Sequence, residues 1–301
     1  MGRVNIIKIS IAINRVNWEE KEIIQDLKKR NVQVEIIDNK NVFYDLEIPT
    51  LKTDIVLDRS LSYLRGLYLT AILEYQGYKV VNSYETARIC GDKLITSLEL
   101  IKNRLPIAKT YCAFTKDSSL NALEELGYPA VIKPIIGSWG RLIALLRDKE
   151  MAKSILEERE VMGQLYQKIF YLQEYIKKPA RNIREYSNRE KVPRDIRVIV
   201  IGDEVIEAMY RFESINDWRS AATMGAKTST CPITSEIEDI SLKAAKAVNG
   251  EILGIDLMEN EDRKLIIQEI NHTCGFKAIS LTTGNDIASK INDYLISQVK
   301  N

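Results

Sequence analysis

Between residues 4 and 81, short apolar runs alternate with helical patterns, and this alternation constrains the fold more than any other feature of the chain. Residues 4–13 and Val32–Ile37 read as strands, separated by an amphipathic stretch at 18–30 (WEEKEIIQDLKKR). Ile55–Leu57 reads as a short strand, 61–76 as a helix and Tyr78–Val81 as a further strand. Such a βαβαβ rhythm predicts a small parallel sheet covered by helices, an α/β unit. No G-x-G-x-x-G follows the first strand, so a dinucleotide site is not supported.

Beyond this unit the pattern becomes α+β. Helices are expected over 84–104, 118–126 (closed by Gly127), 148–162, 235–248 and 286–299. Strands are expected near Pro106–Phe114, at Ala130–Lys133, Leu142–Leu146 and Phe170–Ile176. Gly202-Asp203 marks a hairpin between Ile196–Ile201 and Val205–Tyr210, and Glu259–Lys264 joins Ile252–Met258 to Leu265–Asn271. The polar stretch 182–194 reads as an exposed insertion. A chain of 301 residues exceeds one typical domain.

Composition excludes several chemistries. A net charge of +1 provides no global field for nucleic acid or an anionic membrane, so an anionic ligand must be held by a local cluster of cations. The longest apolar runs are too short to span a bilayer, and the N-terminal region lacks the core of a signal peptide, so a cytoplasmic protein is expected. Cys90, Cys112, Cys231 and Cys274 form no CxxC pair. His272 is the single histidine, which removes His-based metal sites and disfavours a Ser-His-Asp triad. Carboxylates, lysines and arginines are left to carry the chemistry.

The last two strands hold acids inside apolar runs. Alternation places Gly254, Asp256 and Met258 on one face of the first, and Leu265, Ile267, Glu269 and Asn271 on one face of the second. A buried carboxylate is costly unless it is paired or bound to a metal. Asp256, Glu269 and Asn271 would together offer three oxygen ligands, a set that suits Mg²⁺. The same acids would also serve as partners of Lys or Arg on a solvated face. Lys133 ends an apolar strand and is followed by Gly137-Ser138-Trp139-Gly140-Arg141, whose glycines admit backbone N–H groups to a phosphate; a plain hairpin turn fits as well. Lys93 follows Gly91-Asp92 at a helix start. Gln173-Glu174-Tyr175-Ile176 could present backbone groups to a purine and a carboxylate to a ribose. Arg197, beside Asp195, and Arg211 could converge on phosphate oxygens.

In order along the chain, GDK (Gly91–Lys93), VIKP (Val131–Pro134), the glycine-bearing loop, QEYI (Gln173–Ile176), DIR (Asp195–Arg197), GIDL (Gly254–Leu257) and QEIN (Gln268–Asn271) closely resemble the ATP-grasp superfamily and its RimK-like ligases. The resemblance implies an ATP-grasp fold divided into an N-terminal pre-ATP-grasp domain (1–90), a central lid subdomain (91–167) and a C-terminal subdomain with the metal site (168–301). It implies ATP held by Lys93, Lys133, the 137–141 loop, Gln173–Ile176 and Asp195. Lys133, Arg197 and Arg211 would act on the phosphates, and Asp256, Glu269 and Asn271 would hold Mg²⁺, as two ions, with Mn²⁺ as a substitute.

KPIIGSWGRL (Lys133–Leu142), YLQEYIKKPAR (Tyr171–Arg181) and EINHT (Glu269–Thr273) narrow the resemblance to the LysX family, which joins α-aminoadipate to the C-terminal glutamate of the acidic amino-group carrier protein LysW in lysine biosynthesis. The sister ArgX enzymes attach glutamate. By this resemblance His272, Thr273, Gly275, Phe276 and Lys277 face the substrates, the partners are an acidic carrier and an amino acid, and the assembly is a homodimer or homotetramer. Two departures stand out. Gly275-Phe276-Lys277-Ala278 replaces the LysX pattern Glu-Phe-Lys-Asn, and Ala221, Met224 and Gly225-Ala226 replace the family's Asn, Arg and Gly-Gly. The losses leave open a glutamate-using relative and a nucleotide-binding module without ligase activity.

Overall fold

The computed structural model describes residues 6–137, 140–182, 191–213 and 227–300. At the N-terminus stand β1 (Lys8–Ile13), α1 (Trp18–Lys29), β2 (Gln33–Asp38), β3 (Ile55–Asp58), α2 (Tyr63–Tyr75) and β4 (Val80–Val81). The strands pair in parallel in the order β2-β1-β3-β4, as the alternation predicts. Ile9, Ile11 and Ile13 of β1 pack with Ile23 and Leu27 of α1, while Ala12 packs on the other face with Leu69 and Leu73 of α2.

The helical stretch expected over 84–104 is two helices, α3 (Tyr84–Cys90) and α4 (Lys93–Lys102). Asp92 breaks it. Its backbone is extended and its carboxylate accepts the amides of Leu94 (2.9 Å) and Ile95 (3.1 Å), capping α4. Next come β5 (Thr110–Ala113), α5 (Lys116–Leu126), β6 (Ala130–Lys133), β7 (Ala144–Leu146), α6 (Lys149–Met162) and β8 (Phe170–Glu174). These strands form an antiparallel sheet, β5-β8-β6-β7. Ala130 and Ile132 of β6 and Phe170 and Leu172 of β8 face Leu123 of α5 and Leu156 of α6. The alternate residues, Val131, Lys133 and Gln173, line a cavity on the other face.

A short ribbon, β9 (Arg181–Asn182) with β10 (Lys191–Val192), brackets the polar stretch, whose residues 183–190 lie outside the described residues. Then follow β11 (Arg194–Ile201), β12 (Glu204–Phe212), β13 (Thr228–Thr230), α7 (Ser235–Ala247), β14 (Ile252–Glu259), β15 (Leu265–Asn271), α8 (Lys277–Thr283) and α9 (Ile287–Lys300). The sheet runs β13-β12-β11-β14-β15, antiparallel throughout. β8, past residue 167, pairs with β5 and β6 in the central sheet, and Ile89, Cys90 and Leu100 of α3 and α4 pack in the core of the third sheet with Ile237 and Ile255. The closing helix α9 returns to the N-terminal sheet, where Ile291 and Leu295 join the β1–α1 core.

One buried side chain ties the first sheet to the third. Asn82, just after β4, donates from Nδ2 to the carbonyls of Ile252 (2.7 Å) and His272 (2.7 Å) and accepts on Oδ1 from the amides of Glu251 (2.8 Å) and Ile252 (2.9 Å). A buried hydrogen bond contributes about 1 kcal/mol, and an orphaned buried partner costs more. Asn82→Ala should therefore lower the unfolding free energy by on the order of 3 kcal/mol, measured by urea denaturation. A loss under about 1 kcal/mol would show that these backbone groups find other partners.

Candidate active site

The face of the third sheet that looks toward the central sheet carries a row of charges set by strand register. Arg197 of β11 sits opposite Asp256 of β14, which sits opposite Glu269 of β15; two residues along, Arg211 of β12 sits opposite Asp195 of β11. Arg197 donates to both carboxylate oxygens of Asp256, with Nη2 at 3.0 Å from Oδ2. Arg211 donates from Nε to Asp195 Oδ1 at 2.7 Å and places Nη2 3.1 Å from Asp256 Oδ1. Burial alone would push the Asp256 pKa up, but Arg197 and Arg211 outweigh it and hold the carboxyl below the usual range, so it is ionised. Burial works against the Arg211 charge as well, and Asp195 and Asp256 more than restore it.

Strict alternation misplaces two residues. The β14–β15 register shifts between Asp256 and Leu257: Glu269 pairs with Asp256 while Ile267 pairs with Leu257, leaving Gln268 as an extra residue. This bulge sends Leu265 and Ile267 into the core with Leu257 and keeps Gln268, Glu269 and Asn271 on the cavity side. Gly254, also on this face, is required by close packing. A Cβ there would lie 2.6 Å from Cys274 Cβ and 3.0 Å from Arg197 Nη1.

The cations converge from the other side. Lys133 ends β6 buried, and its Nζ donates to Gln173 Oε1 at 2.7 Å; Gln173 is in turn fixed by Thr110 (3.0 Å) and the Tyr171 hydroxyl (3.1 Å). Burial lowers the Lys133 pKa to about 8, with Glu269 opposing the shift and Lys93 adding to it. Lys93, at the start of α4, reaches Glu269 Oε1 at 3.2 Å and the carbonyl of Gly137 at 2.6 Å. Gly91 two residues earlier lets the Tyr63 ring approach, since a Cβ there would stand 1.8 Å from it.

These groups line one cavity of about 770 Å³. Of the residues expected to hold nucleotide, phosphate or metal, Lys133, Gly137, Gly140, Gln173, Glu174, Tyr175, Ile176, Asp195, Arg197, Arg211, Asp256, Glu269 and Asn271 line it. Lys93 lines a small recess beside it, shared with Lys133 and Glu269. Arg141 is exposed and is not part of the lining. Ser138, Trp139, Ala221, Met224, Gly225 and Ala226 lie outside the described residues. The Asp195 carboxylate is engaged by Arg211, which makes it a positioning group for that cation. The Glu174 carboxylate likewise accepts the Lys109 amide at 2.8 Å.

Of the residues expected to face substrate, His272, Thr273, Gly275 and Lys277 line the cavity and Phe276 does not. Phe276 is fully buried against Trp18, with the Arg59 guanidinium 5.7 Å over its ring, so it anchors the loop from below. Arg59 also donates to the Cys274 carbonyl at 2.8 Å and pairs with buried Glu20 at 3.1 Å. Burial and the nearby Arg59 push the His272 pKa down to about 4, so the imidazole is neutral near pH 7. The sequence reading missed Glu19, Ser60 and Tyr63, which the N-terminal unit adds to the lining, and Lys178, which is paired with Glu213. Of these, only Lys178 falls in a motif, YIKKPAR.

The donor set is chemically consistent with a hard cation. Asp256 and Glu269 supply carboxylates, and Asn271, whose Nδ2 is directed to the Gly254 carbonyl at 3.4 Å, keeps its Oδ1 for a ligand. Residues 90–295 match the family model of the RimK-like ATP-grasp domain, and residues 9–89 match the LysX preATP-grasp domain. The chain belongs to the RimK-like ATP-grasp family. It is an ATP-dependent ligase. A glutamate–LysW ligase, ArgX, from Sulfolobus acidocaldarius is 34% identical, covering 98% of each chain. An α-aminoadipate–LysW ligase, LysX, from Saccharolobus solfataricus is 35% identical over 86% of this chain and 90% of the relative. The crystal structure of a RimK domain ATP-grasp protein from Sphaerobacter thermophilus superposes with a TM-score of 0.77 at 20% identity, covering 95% of this chain and 98% of that one. In this RimK-like ligase, no helix among the described residues is long and apolar enough to cross a membrane.

With a pKa of about 8, Lys133 is part neutral above neutral pH, and a polyanion bound beside it would restore its charge. ATP binding should take up a proton between about pH 8 and 9, and affinity should fall as pH rises through that window. Calorimetry in two buffers of different ionisation enthalpy checks this, with Lys133→Met expected to abolish the uptake. Equal apparent enthalpies in both buffers at pH 8.5 would contradict it.

Proposed function

We propose that this ligase joins an acidic amino acid to the C-terminal glutamate of a small acidic carrier protein, through an acyl phosphate. The carrying observation is that the buried lysine, the strand expected to hold the purine and the oxygen donors share one cavity with the 272–277 loop. Lys133 and Lys93 would hold the triphosphate, and Gln173–Ile176 the base. Asp256, Glu269 and Asn271 would hold magnesium, as two ions shared with the phosphates, and the metal would neutralise charge there. Arg197 and Arg211, already fixed by Asp256 and Asp195, would meet charge developing on the transferred phosphoryl group without reorganising. The carrier's carboxylate oxygen attacks the γ-phosphorus and ADP leaves; the neutral amine of the amino acid then attacks the acyl carbon and phosphate leaves. His272, with a pKa of about 4, is too weak a base to take the ammonium proton at neutral pH and would serve as a neutral hydrogen-bonding group.

Glutamate is the favoured amine. The α-aminoadipate reading drew on likeness to LysX, but Gly275 and Ala278, both on the cavity wall, bring no polar side chain where that pattern has a carboxylate and an amide. The ArgX relative, which covers 98% of this chain, is named for glutamate. The second reading, α-aminoadipate, is kept by the equally similar LysX relative.

Incubating the chain with ATP, Mg²⁺, an acidic carrier ending in glutamate and both amino acids together should add the mass of one glutamyl residue, read by intact-mass spectrometry. A dominant adduct of α-aminoadipate would reverse the order of the two readings, and no adduct with either would remove the proposal.

Glu269→Gln should lower kcat by on the order of 100-fold with an unchanged melting curve. Asp256→Ala should lose activity and also on the order of 3 kcal/mol of stability, because half-buried Arg197 loses its counter-charge and buried Arg211 keeps only Asp195. Wild-type turnover in Glu269→Gln at low millimolar Mg²⁺ would argue against the metal assignment.

A further inference from the structure

Helix α2 is apolar on two opposite sides. Leu69 and Leu73 face the N-terminal core, yet Leu64, Tyr68 and Tyr75, at near-helical spacing, look outward with Tyr68 63% and Tyr75 83% exposed. Beside this stripe runs the connection between β2 and β3, residues 39–54, which has no strand or helix of its own and is unusually long for a connector. It carries Phe43, 94% exposed, with Leu46 and Ile48 each more than half exposed. The two features form one surface. Gln76, at the C-terminal end of α2, donates to the carbonyls of Asp45 (2.6 Å) and Ile48 (3.3 Å), and Tyr78 holds Leu51 through hydrogen bonds of 2.9 Å in both directions. An apolar loop pinned by hydrogen bonds against an apolar helix face is a built surface.

We propose that this surface is the contact between two copies of the chain, related by a two-fold axis with α2 antiparallel to its symmetry mate. Three observations select a second copy as the occupant. The six exposed residues present on the order of 700 Å² of largely apolar area, near the roughly 800 Å² per partner of a stable interface. The charges on the surface are self-complementary: exposed Arg65 lies toward the N-terminal end of α2, while exposed Asp45 and Glu47 lie at its C-terminal end, and none of the three is in an ion pair among the described residues. With a helix of 13 residues, roughly 20 Å long, an antiparallel two-fold brings Arg65 of each copy to the acidic end of the other. The surface also lies on the outer face of the N-terminal sheet, whose other face packs toward the third sheet and so is not available for pairing.

Sedimentation velocity of the full chain across 1–50 μM, with hydrogen exchange on the same samples, tests the proposal. A dimer at micromolar concentration is expected, with amides of 42–48 protected and losing protection on dilution. Tyr68→Glu and, separately, Phe43→Asp should shift the species to monomer by at least a tenfold increase in Kd, with an unchanged far-UV spectrum and ATP affinity. A monomer throughout the range overturns the proposal. So does a dimer that both variants leave intact with 42–48 freely exchanging, or protection of 42–48 that appears only when an acidic carrier protein is added.

Discussion

A single buried carboxylate organises the site. Asp256 lies inside an apolar strand, where a lone charge is prohibitive, and it persists because Arg197 of the adjacent β11 and Arg211 of β12, one strand beyond, both reach it. Each arginine reaches it because antiparallel pairing places Arg197 directly opposite and Arg211 on the next strand out, two residues along, with Asp195 fixing the latter. The result is a preorganised field: cations held at defined points in a chain whose net charge is only +1. Glu269 and Lys93 extend the same logic toward the central sheet, and buried Lys133 closes the ring of charge.

The three sheets exist to bring these groups together. The central sheet buries one face on α5 and α6 and turns Val131, Lys133 and Gln173 to the cavity. On β11, Asp195 and Arg197 line the cavity, while Ile199 and Ile201, farther along, sit in the core shared with the N-terminal sheet. One strand thus carries both the chemistry and the attachment of the N-terminal unit. Asn82 and Arg59 complete that attachment by holding backbone carbonyls at His272 and Cys274, which fixes the loop expected to meet the amino acid.

Much of this was legible from residue patterns. The parallel N-terminal sheet followed from the spacing of apolar runs, and the acids in the last two strands stood out because their neighbours are apolar. Most of what stayed hidden depends on contacts distant in sequence. The bulge at Gln268 moves Leu265 and Ile267 to the opposite face, and nothing local announces it. Asp92 divides a continuous helical pattern, although an Asp before an apolar run is a cap signal in retrospect. Phe276 looks like part of a substrate motif but spends its ring on Trp18 and Arg59. Glu19, Ser60 and Tyr63 reach the cavity only through domain packing, which no periodicity encodes.

The central claim is that Asp256, Glu269 and Asn271 turn their oxygens to a divalent cation that also meets the triphosphate. Anomalous scattering from a crystal of the full chain grown with Mn²⁺ and a non-hydrolysable ATP analogue tests it most directly. A manganese peak within about 2.0–2.4 Å of oxygens from those three side chains and the phosphates is the expected result. Ordered nucleotide in the cavity with manganese bound elsewhere, and the Asp256 and Glu269 carboxylates still held only by arginine and lysine, would contradict it.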